Sequence, residues 1–382
     1  MKAAIYLDHH ATTPLDPRAA EAMREALFEE AANASNSLHE PGRRAARAID
    51  QARDEIASLV GASSRDVIFT SGATEADNLA LIGMLRGRGG HVISQSAEHD
   101  AVYETLRALE RSGEIELTVL EAGPSGVLDP RAVKDAIRPE TRLVSIMSAG
   151  NETGAIQPIA EIGAILVEHD LFFHVDAAQG AGLIPLSMRE AHIDLLSLSA
   201  HKLYGPMGVG ALIANTRARA ELRPIVHGGG QEGGFRSGSS PHALIRGFGE
   251  AARIMCIEGG EEAARLKKLR AILLDELSAI DGLRLLGPPL DRRHPGNLLV
   301  HLPGVSGAEL VRALSPRLIA STGSSCATGK SERRVGRALG LSEDEAKEVL
   351  RLGIGRFNDE AEIHSAASLT VDVVNTIRIG RK

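Results

Sequence analysis

The sequence predicts an α/β protein built on a mainly parallel sheet with helices on both faces. Seven short apolar runs follow one another through the first two-thirds of the chain, and helical patterns separate several of them. Polar, glycine-containing signatures come directly after several runs, where a parallel sheet places its ligand-binding residues. The seven predicted strands are 67–70, 91–94, 117–120, 143–146, 171–175, 195–198 and 209–214.

Helical patterns, in which apolar residues recur every three or four positions, lie among these runs. In the first half of the chain they cover residues 18–28, 42–60, 101–112 and 159–169. The segment 227–239 is too dense in glycine for the interior of an element. We therefore expect the next helix, which is long and amphipathic, to run from about residue 261 to 280.

The last third of the chain predicts a second, smaller unit. It holds an apolar run at 297–302 and helical patterns at 307–314 and 360–375. The simplest interpretation is a two-lobed protein with its site between the lobes. We predict a large domain at 14–257 and a small domain formed by 1–13 and 258–382.

The composition is typical of a cytoplasmic enzyme. A chain of 382 residues that is 43% hydrophobic can bury one or two substantial cores. Its formal net charge of −7 argues against a nucleic-acid surface. Two cysteines are too few for a disulfide framework. There is no apolar run of membrane-spanning length and no signal-peptide core, so we expect no membrane association.

A lysine and an aspartate at the ends of two apolar runs carry the clearest chemical signal. Lys202 lies in the segment 197–206, and Asp176 lies in the segment 172–179. A charge buried at the end of a strand is costly unless it has a partner or a covalent role, such as a Schiff base. The pair fits pyridoxal phosphate, with the lysine for the aldehyde carbon and the carboxylate for the pyridinium nitrogen. A buried ion pair would explain both charges, but not the polar loops that accompany them.

Turns after other apolar runs are candidates for the remaining contacts. The small-residue turn at 71–76 opens a helical stretch, whose free N–H groups suit a phosphate; an ordinary helix cap has the same residue types. His99 could stack on a pyridine ring or be a surface histidine. Asn151 could donate to a ring oxygen or belong to a plain turn.

The two cysteines lie in contrasting surroundings. Cys256 stands in the apolar run 253–257, which is typical of a buried structural cysteine. Cys326 stands among serine, threonine and glycine, close to Lys330. Such a thiol is accessible and can react as the thiolate, although a harmless loop thiol is the alternative.

Two arginines near the C-terminus alternate with small and apolar residues. The planar guanidinium of Arg351 or Arg356 could bind a substrate carboxylate through two parallel hydrogen bonds. The alternative is a solvated strand face with ordinary ion pairs.

With these residues in place, the chain resembles the cysteine desulfurases, in the class V aminotransferase branch of the fold-type I pyridoxal phosphate enzymes. The motifs that carry the resemblance are Tyr-Leu-Asp-His-His-Ala-Thr-Thr-Pro at 6–14, Phe-Thr-Ser-Gly-Ala-Thr-Glu at 69–75, His-Val-Asp-Ala-Ala-Gln at 174–179 and Ser-Ala-His-Lys-Leu-Tyr-Gly-Pro at 199–206. They occur in the family's order and span nearly the whole chain. The resemblance implies a seven-stranded large domain and a smaller α+β C-terminal domain.

The resemblance also implies pyridoxal 5′-phosphate as the cofactor and a set of residues that bind it. Ser239 stands where the family has threonine, in a segment that reaches the phosphate from the partner subunit of a homodimer. The implied cofactor contacts are Ala73, Thr74, Ser199 and His201 at the phosphate, Lys202 at the aldehyde, Asp176 at the ring nitrogen, His99 on the ring face, Asn151 and Gln179 at the ring oxygen, and Ser239.

The implied reaction converts L-cysteine to L-alanine. Lys202, His99 and Cys326 would be catalytic, with Asn151 and Arg351 binding the substrate. Cys326 would form a persulfide and pass its sulfur to an acceptor protein, either an iron–sulfur scaffold or another sulfur carrier. Its context is similar to the subclass with a mobile cysteine loop. The segment 328–337 that follows is one residue shorter than in common members and is basic, with Lys330, Arg333, Arg334 and Arg337.

Two other functions are compatible with the same residues. One is selenocysteine lyase or another class V activity, with Cys326 incidental. The other is a non-catalytic scaffold of the same fold, against which the complete set of Lys202, Asp176 and Cys326 argues.

Overall fold

The computed structural model describes residues 4–29, 32–323 and 330–380. Cys326 therefore lies outside the described residues. Within them the strands form a seven-stranded, a three-stranded and a two-stranded sheet. The strands are β1 Ile5–Tyr6, β2 Val67–Thr70, β3 His91–Gln95, β4 Glu116–Leu120, β5 Thr141–Ser145, β6 Phe172–Asp176, β7 Leu195–Ser199, β8 Gly210–Ala214, β9 Arg284–Leu285, β10 Asn297–His301, β11 Leu318–Ile319 and β12 Val349–Gly353.

Helices precede, separate and follow these strands. They are α1 Pro17–Phe28, α2 Glu40–Leu59, α3 Ala73–Leu85, α4 Asp100–Arg111, α5 Pro130–Asp135, α6 Ile159–Glu168, α7 Thr216–Glu221, α8 His242–Leu277, α9 Gly307–Leu314, α10 Lys330–Ala338 and α11 Glu360–Ile379. Across the described parts of the chain, none of the helices is both long and apolar enough to cross a membrane.

The seven-stranded sheet confirms the predicted architecture. Its strand order is β2-β8-β7-β6-β5-β3-β4, and β8 runs antiparallel to both of its neighbours while the others are parallel to one another. Both β6 and β7 are buried along their whole length. Strands covered by helices on both faces need continuous apolar runs, which is the pattern that the sequence showed.

Separate apolar cores lie on the two faces of this sheet and in the C-terminal part. One face packs Phe173 and Leu196 against Ile56 of α2, and the other packs Ile68 against Leu79 of α3. A further core joins α8, α11 and the three-stranded sheet through residues that include Leu273, Leu298, Leu350 and Ile363.

The predicted start of the long helix was wrong, because α8 begins at His242 rather than near residue 261. Its early turns contain Gly247 and Gly249, and glycine has a low helix propensity. A Cβ atom on Gly249 would lie 2.5 Å from Cβ of Ala52 in α2, closer than real contacts allow. The close packing of α8 against α2 therefore requires glycine inside the helix, and tertiary contact outweighs the low helix propensity.

The expectation that Cys256 is buried was also wrong. It lies in α8 and is exposed, whereas its neighbours Ile254 and Met255 are only 1% and 2% exposed. The four consecutive apolar residues at 254–257 cover more than one face of a helix, so some of them face outward. Ile257, at 66% exposed, lies on the outward side as well.

Candidate active site

A cavity of about 390 Å³ lies at the carboxyl edge of the large sheet. Its walls come from segments that follow β2, β3, β5, β6 and β7, because the ends of parallel strands meet at one sheet edge. Nine of the ten residues that the sequence assigned to the cofactor line it: Ala73, Thr74, His99, Asn151, Asp176, Gln179, Ser199, His201 and Lys202. Sequence reasoning did not single out the lining residues Ala11, Met147, Ala149, Met207 and Gly208.

One end of the cavity is formed by the N-terminus of α3. The helix is preceded by Gly72, which has φ +155° and ψ 178°, a conformation that is essentially restricted to glycine. Glycine carries no side chain that could cap the first-turn N–H groups. Ala73 and Thr74 of that turn line the cavity, and a helix N-terminus with available N–H groups favours an anion.

The acidic residue of this turn, Glu75, is engaged with neighbouring groups. Its carboxylate accepts hydrogen bonds from the backbone N–H of Ser71 at 2.8 Å and from Nε of Arg236 at 2.8 Å. Burial alone would raise the pKa of Glu75, but the bonds from Arg236 and Ser71 hold it below its ordinary value. The positive charge of Arg236 thus offsets the negative charge of Glu75, which would otherwise repel an anion bound at the N-terminus of α3.

Lys202 and Asp176 both reach the cavity from strand ends. Lys202 lies in the short turn after β7, and its Nζ donates to the backbone carbonyl of His10. Asp176 is the last residue of β6 and accepts from the N–H of Ala178 at 2.9 Å. Burial raises the pKa of Asp176, and the nearby Asp77 raises it further. A cationic ring nitrogen would offset this cost by favouring the carboxylate.

A row of buried polar groups lies behind Asp176. His174 has its Nδ1 atom 2.8 Å from Oγ of Ser145 and its Nε2 atom 3.1 Å from Oγ of Ser197. The same Nε2 lies 3.5 Å from Oδ1 of Asp77. Burial raises the pKa of Asp77 to about 7 and lowers that of His174 to about 4. Sequence reasoning missed this row, although a second carboxylate, Asp77, among the apolar residues of α3 was a signal for it.

His99 begins α4, and its position is set by its own loop. Its Nδ1 atom accepts the N–H of Ala101 at 3.1 Å, so the proton of the neutral ring is on Nε2. The preceding residue, Glu98, is buried and accepts hydrogen bonds from Gln95 at 3.0 Å and from the N–H of Met147 at 2.7 Å. The His99 loop is thereby tied to the neighbouring β5 segment that also lines the cavity.

Gln179 is held by His10, a residue of the motif at 6–14 to which the sequence analysis gave no role of its own. Its Oε1 atom lies 3.2 Å from Nδ1 of His10, and its Nε2 donates to the carbonyl of His10 at 2.9 Å. The His10 ring packs edge-on against His294, with ring centroids 4.6 Å apart. The N-terminal segment thus orients the side chains of both Gln179 and Lys202.

Arg351 lies beside the cavity rather than among its lining residues. It is fully buried on β12, donates to the carbonyl of Asn151 at 3.1 Å and pairs with Asp8 at 2.9 Å. The alternative of a solvated strand face is therefore wrong for this residue. Arg356 makes structural ion pairs with Asp16 and Glu262, both at 2.7 Å.

The structure does not bring Ser239 into the cavity of its own chain. Ser239 is exposed, in the glycine-rich segment that Arg236 ties to Glu75. Its assignment to the cofactor of a partner subunit stays a prediction. The assignment of Cys326 falls outside the described residues.

The residues present fit pyridoxal phosphate. The cavity has a helix N-terminus for the phosphate, a buried carboxylate for the ring nitrogen and a lysine amine for the aldehyde. Cavities of this size hold small ligands of that kind. The fold and the site thus define a pyridoxal phosphate enzyme of the α/β class.

Comparisons with known proteins agree with this class. The Aminotransferase class-V family matches residues 5–365. A protein named cysteine desulfurase IscS from Anaeromyxobacter sp. (strain Fw109-5) is 44% identical over 382 residues, which is 99% of this chain and 94% of that protein. A solved structure called NifS-like protein superposes with a TM-score of 0.91 at 31% identity, covering 98% of this chain and all of that one. The structure of SspA in complex with cysteine superposes with a TM-score of 0.80 at 35% identity, covering 93% of this chain and all of that one.

The chain belongs to the class V aminotransferase family, and within it to the cysteine desulfurases. The cofactor of this family is pyridoxal 5′-phosphate, as the motifs indicated.

Proposed function

We propose that this chain is a cysteine desulfurase that converts L-cysteine to L-alanine, forms a persulfide on Cys326 and passes the sulfur to an acceptor protein. The observation that carries the proposal is the meeting of Lys202, Asp176 and His99 in one cavity whose far end is a helix N-terminus. The relative named cysteine desulfurase and the SspA structure with bound cysteine support the choice of substrate.

The cavity residues divide into groups that would bind different parts of the cofactor. The main chain at Ala73 and the side chains of Thr74, Ser199 and His201 would hold the phosphate, with Ser239 of the partner subunit. Asp176 would hold the ring nitrogen, Asn151 and Gln179 the ring oxygen, and His99 the ring face. When bound, pyridoxal phosphate supplies an electron sink for the negative charge left when Cα loses a proton.

The chain's own groups would supply the remaining steps. The Lys202 amine takes the Cα proton, and its hydrogen bond to the His10 carbonyl gives the freed amine a fixed position. His99 would lie against the ring face and would move protons within the site. Arg351 and Asn151 bind the substrate carboxylate.

Sulfur transfer then needs a nucleophile, which is the role we propose for Cys326. Its thiolate attacks the substrate sulfur, so that an S–S bond forms as the Cβ–S bond breaks. The electron pair of the broken bond stays with Cβ, which takes up a proton and becomes the methyl group of alanine. Lys202 returns a proton to Cα, and alanine leaves. Cys326 is left as the persulfide.

The larger organisation of the protein is also proposed. We divide the chain into a large domain at 14–257 and a small domain at 1–13 with 258–382, and the separate core around Leu273 and Leu298 supports this division. We further propose a homodimer, because Ser239 lies outside the cavity of its own chain. A cytoplasmic location keeps the Cys326 thiol reduced between turnovers. The acceptor would belong to iron–sulfur cluster assembly or another thiolation pathway.

The function is tested with the purified chain, pyridoxal phosphate and a thiol reductant. We expect equal amounts of alanine and sulfide from L-cysteine. Selenocysteine and other amino acids are assayed in parallel, because strong preference for one of them would indicate a different class V activity. A protein that binds no cofactor and releases no sulfide would contradict the proposal and favour a scaffold.

Replacing Arg351 with lysine is expected to raise KM for L-cysteine about tenfold with little change in kcat. Lysine keeps a positive charge near Asp8 but loses the planar fork that binds a carboxylate through two bonds, and a hydrogen bond to a charged group contributes roughly 1.5–3 kcal/mol. Steady-state kinetics measure the change. Arg356→Lys is the matched control, since it alters a buried ion-pair network but should leave KM unchanged. An unchanged KM in Arg351→Lys would remove Arg351 from substrate binding.

A further inference from the structure

A single arginine joins α10 to the loop that carries His99. Nε of Arg334 donates to the carbonyl of Ser96 at 2.6 Å, and Nη2 donates to the carbonyl of Glu98. The same Nη2 pairs with Asp100 at 3.0 Å. The guanidinium also stacks over the ring of Tyr103, 4.0 Å from its centroid. We call this set of contacts the Arg334 dock.

The Arg334 dock is well shielded and directional. The side chain of Arg334 is only 13% exposed and that of Asp100 is 24% exposed, so the ion pair is less screened than one at the open surface. The two carbonyl acceptors and the aromatic face match the planar fork and flat surface of a guanidinium, which an ammonium cannot reproduce. The dock therefore fixes an orientation as well as contributing attraction.

The two sides of the dock differ in how firmly they are held elsewhere. The His99 loop has its own attachments through Glu98 to Gln95 and Met147. On the other side, Val335 of α10 and Leu339, the residue after its end, reach a small apolar cluster with Leu286, Leu299 and Val349. Loss of Arg334 should consequently loosen α10 while the His99 loop keeps its position.

The position of α10 in the sequence links it to the proposed sulfur transfer, because it follows Cys326 closely. The helix begins at Lys330, four residues after Cys326, and Arg334 lies one turn further along. An anchor so close in sequence to a reacting group can affect the rate, because an error of about 1 Å in position can cost on the order of 10²-fold.

We infer that Arg334 is a positioning residue for sulfur transfer: by docking α10 on the His99 loop, it anchors the C-terminal end of the segment that carries Cys326. The inference rests on the proposed desulfurase function. Arg334 is not among the described residues that line the cavity, and it acts through the helix that it holds.

The test separates sulfur transfer from the proton chemistry at Cα. L-Alanine is the product of the reaction and contains no sulfur. Exchange of its Cα proton with deuterium from D₂O therefore measures proton transfer in the cavity without any sulfur step. In Arg334→Ala, we expect kcat for sulfide release from L-cysteine to fall roughly tenfold or more, while the alanine exchange rate stays within about twofold of the wild type. Arg334→Lys should recover only part of the loss, because it keeps a donor but not the fork.

A second measurement does not depend on turnover. Hydrogen–deuterium exchange of the protein backbone should become faster in peptides from α10 of Arg334→Ala and remain unchanged in peptides covering 91–105. Arg337→Ala is the matched control, since Arg337 is an exposed arginine of the same helix, and it should alter neither measurement. Two results in Arg334→Ala would overturn the inference. One is an equal loss of sulfide release and of Cα-proton exchange in alanine, and the other is unchanged backbone hydrogen–deuterium exchange in α10. Failure of the proposed function would instead be seen in the wild type, as absence of sulfide from L-cysteine.

Discussion

Replacing Lys202 with alanine is expected to abolish turnover of L-cysteine and the visible absorption that depends on the bond between this lysine and the cofactor. Lys202 lines the cavity, and the described residues around the cavity include no second lysine that could replace it. Proton transfer by a positioned group contributes about 10²–10⁴-fold, so the rate of alanine formation should fall by at least about 10³-fold when the covalent role is lost as well.

Two variants make this result specific. Lys202→Arg keeps a positive charge at the position, but its guanidinium cannot act as the amine, so it should be as inactive as the alanine variant. Lys268→Ala removes an exposed lysine of α8 and should behave as wild type. A Lys202→Ala protein that retains both its absorption band and its activity would refute the assignment of the cofactor-binding lysine.

Replacing Cys326 with alanine is expected to leave the absorption spectrum intact and eliminate the persulfide. The roles proposed for cofactor binding belong to other residues, whereas sulfur transfer requires a nucleophile that alanine lacks. Sulfide release from L-cysteine should fall at least about 100-fold. Mass spectrometry of the protein after one turnover, without reductant, would detect the added sulfur atom in the wild type and not in the variant.

The chain provides a matched control in its other cysteine. Cys256 is exposed on α8, and burial of part of its thiol together with the nearby Glu55 raises its pKa, which makes it a poorer thiolate. Cys256→Ala should therefore retain persulfide formation and sulfide release. Persulfide found on Cys256, or sulfur transfer retained in Cys326→Ala, would contradict the proposed mechanism.

The positions of the cavity residues could be predicted from the sequence because they follow buried strands. Asp176 ends one buried strand and Lys202 lies in the turn after another, and the ends of parallel strands converge on one edge wherever the strands fall in the sheet order. Thr74 and His99 lie in turns that begin helices, which also have local signals. The placement of these residues thus needed only local patterns and one general rule of α/β sheets.

Glycine and cysteine in α8 show where local patterns were insufficient. Gly249 has a low helix propensity, and its close approach to Ala52 of α2 explains why glycine is needed where the helix continues through this position. The exposure of Cys256 follows from the rotation of α8 relative to its neighbours, and a short apolar run does not define that rotation.

The sequence by itself determined the fold class, the cofactor class and the main residues of the site, since each depends on short motifs and on strand ends. Only the tertiary structure decided the support around them: His10 behind Gln179, Asp77 beside His174, and Arg334 against the His99 loop. In each case the partners come from elements far apart in the chain, and their contact depends on how helices pack on the sheet. Such packing is a sum of many weak side-chain contacts, which no local pattern in the sequence encodes.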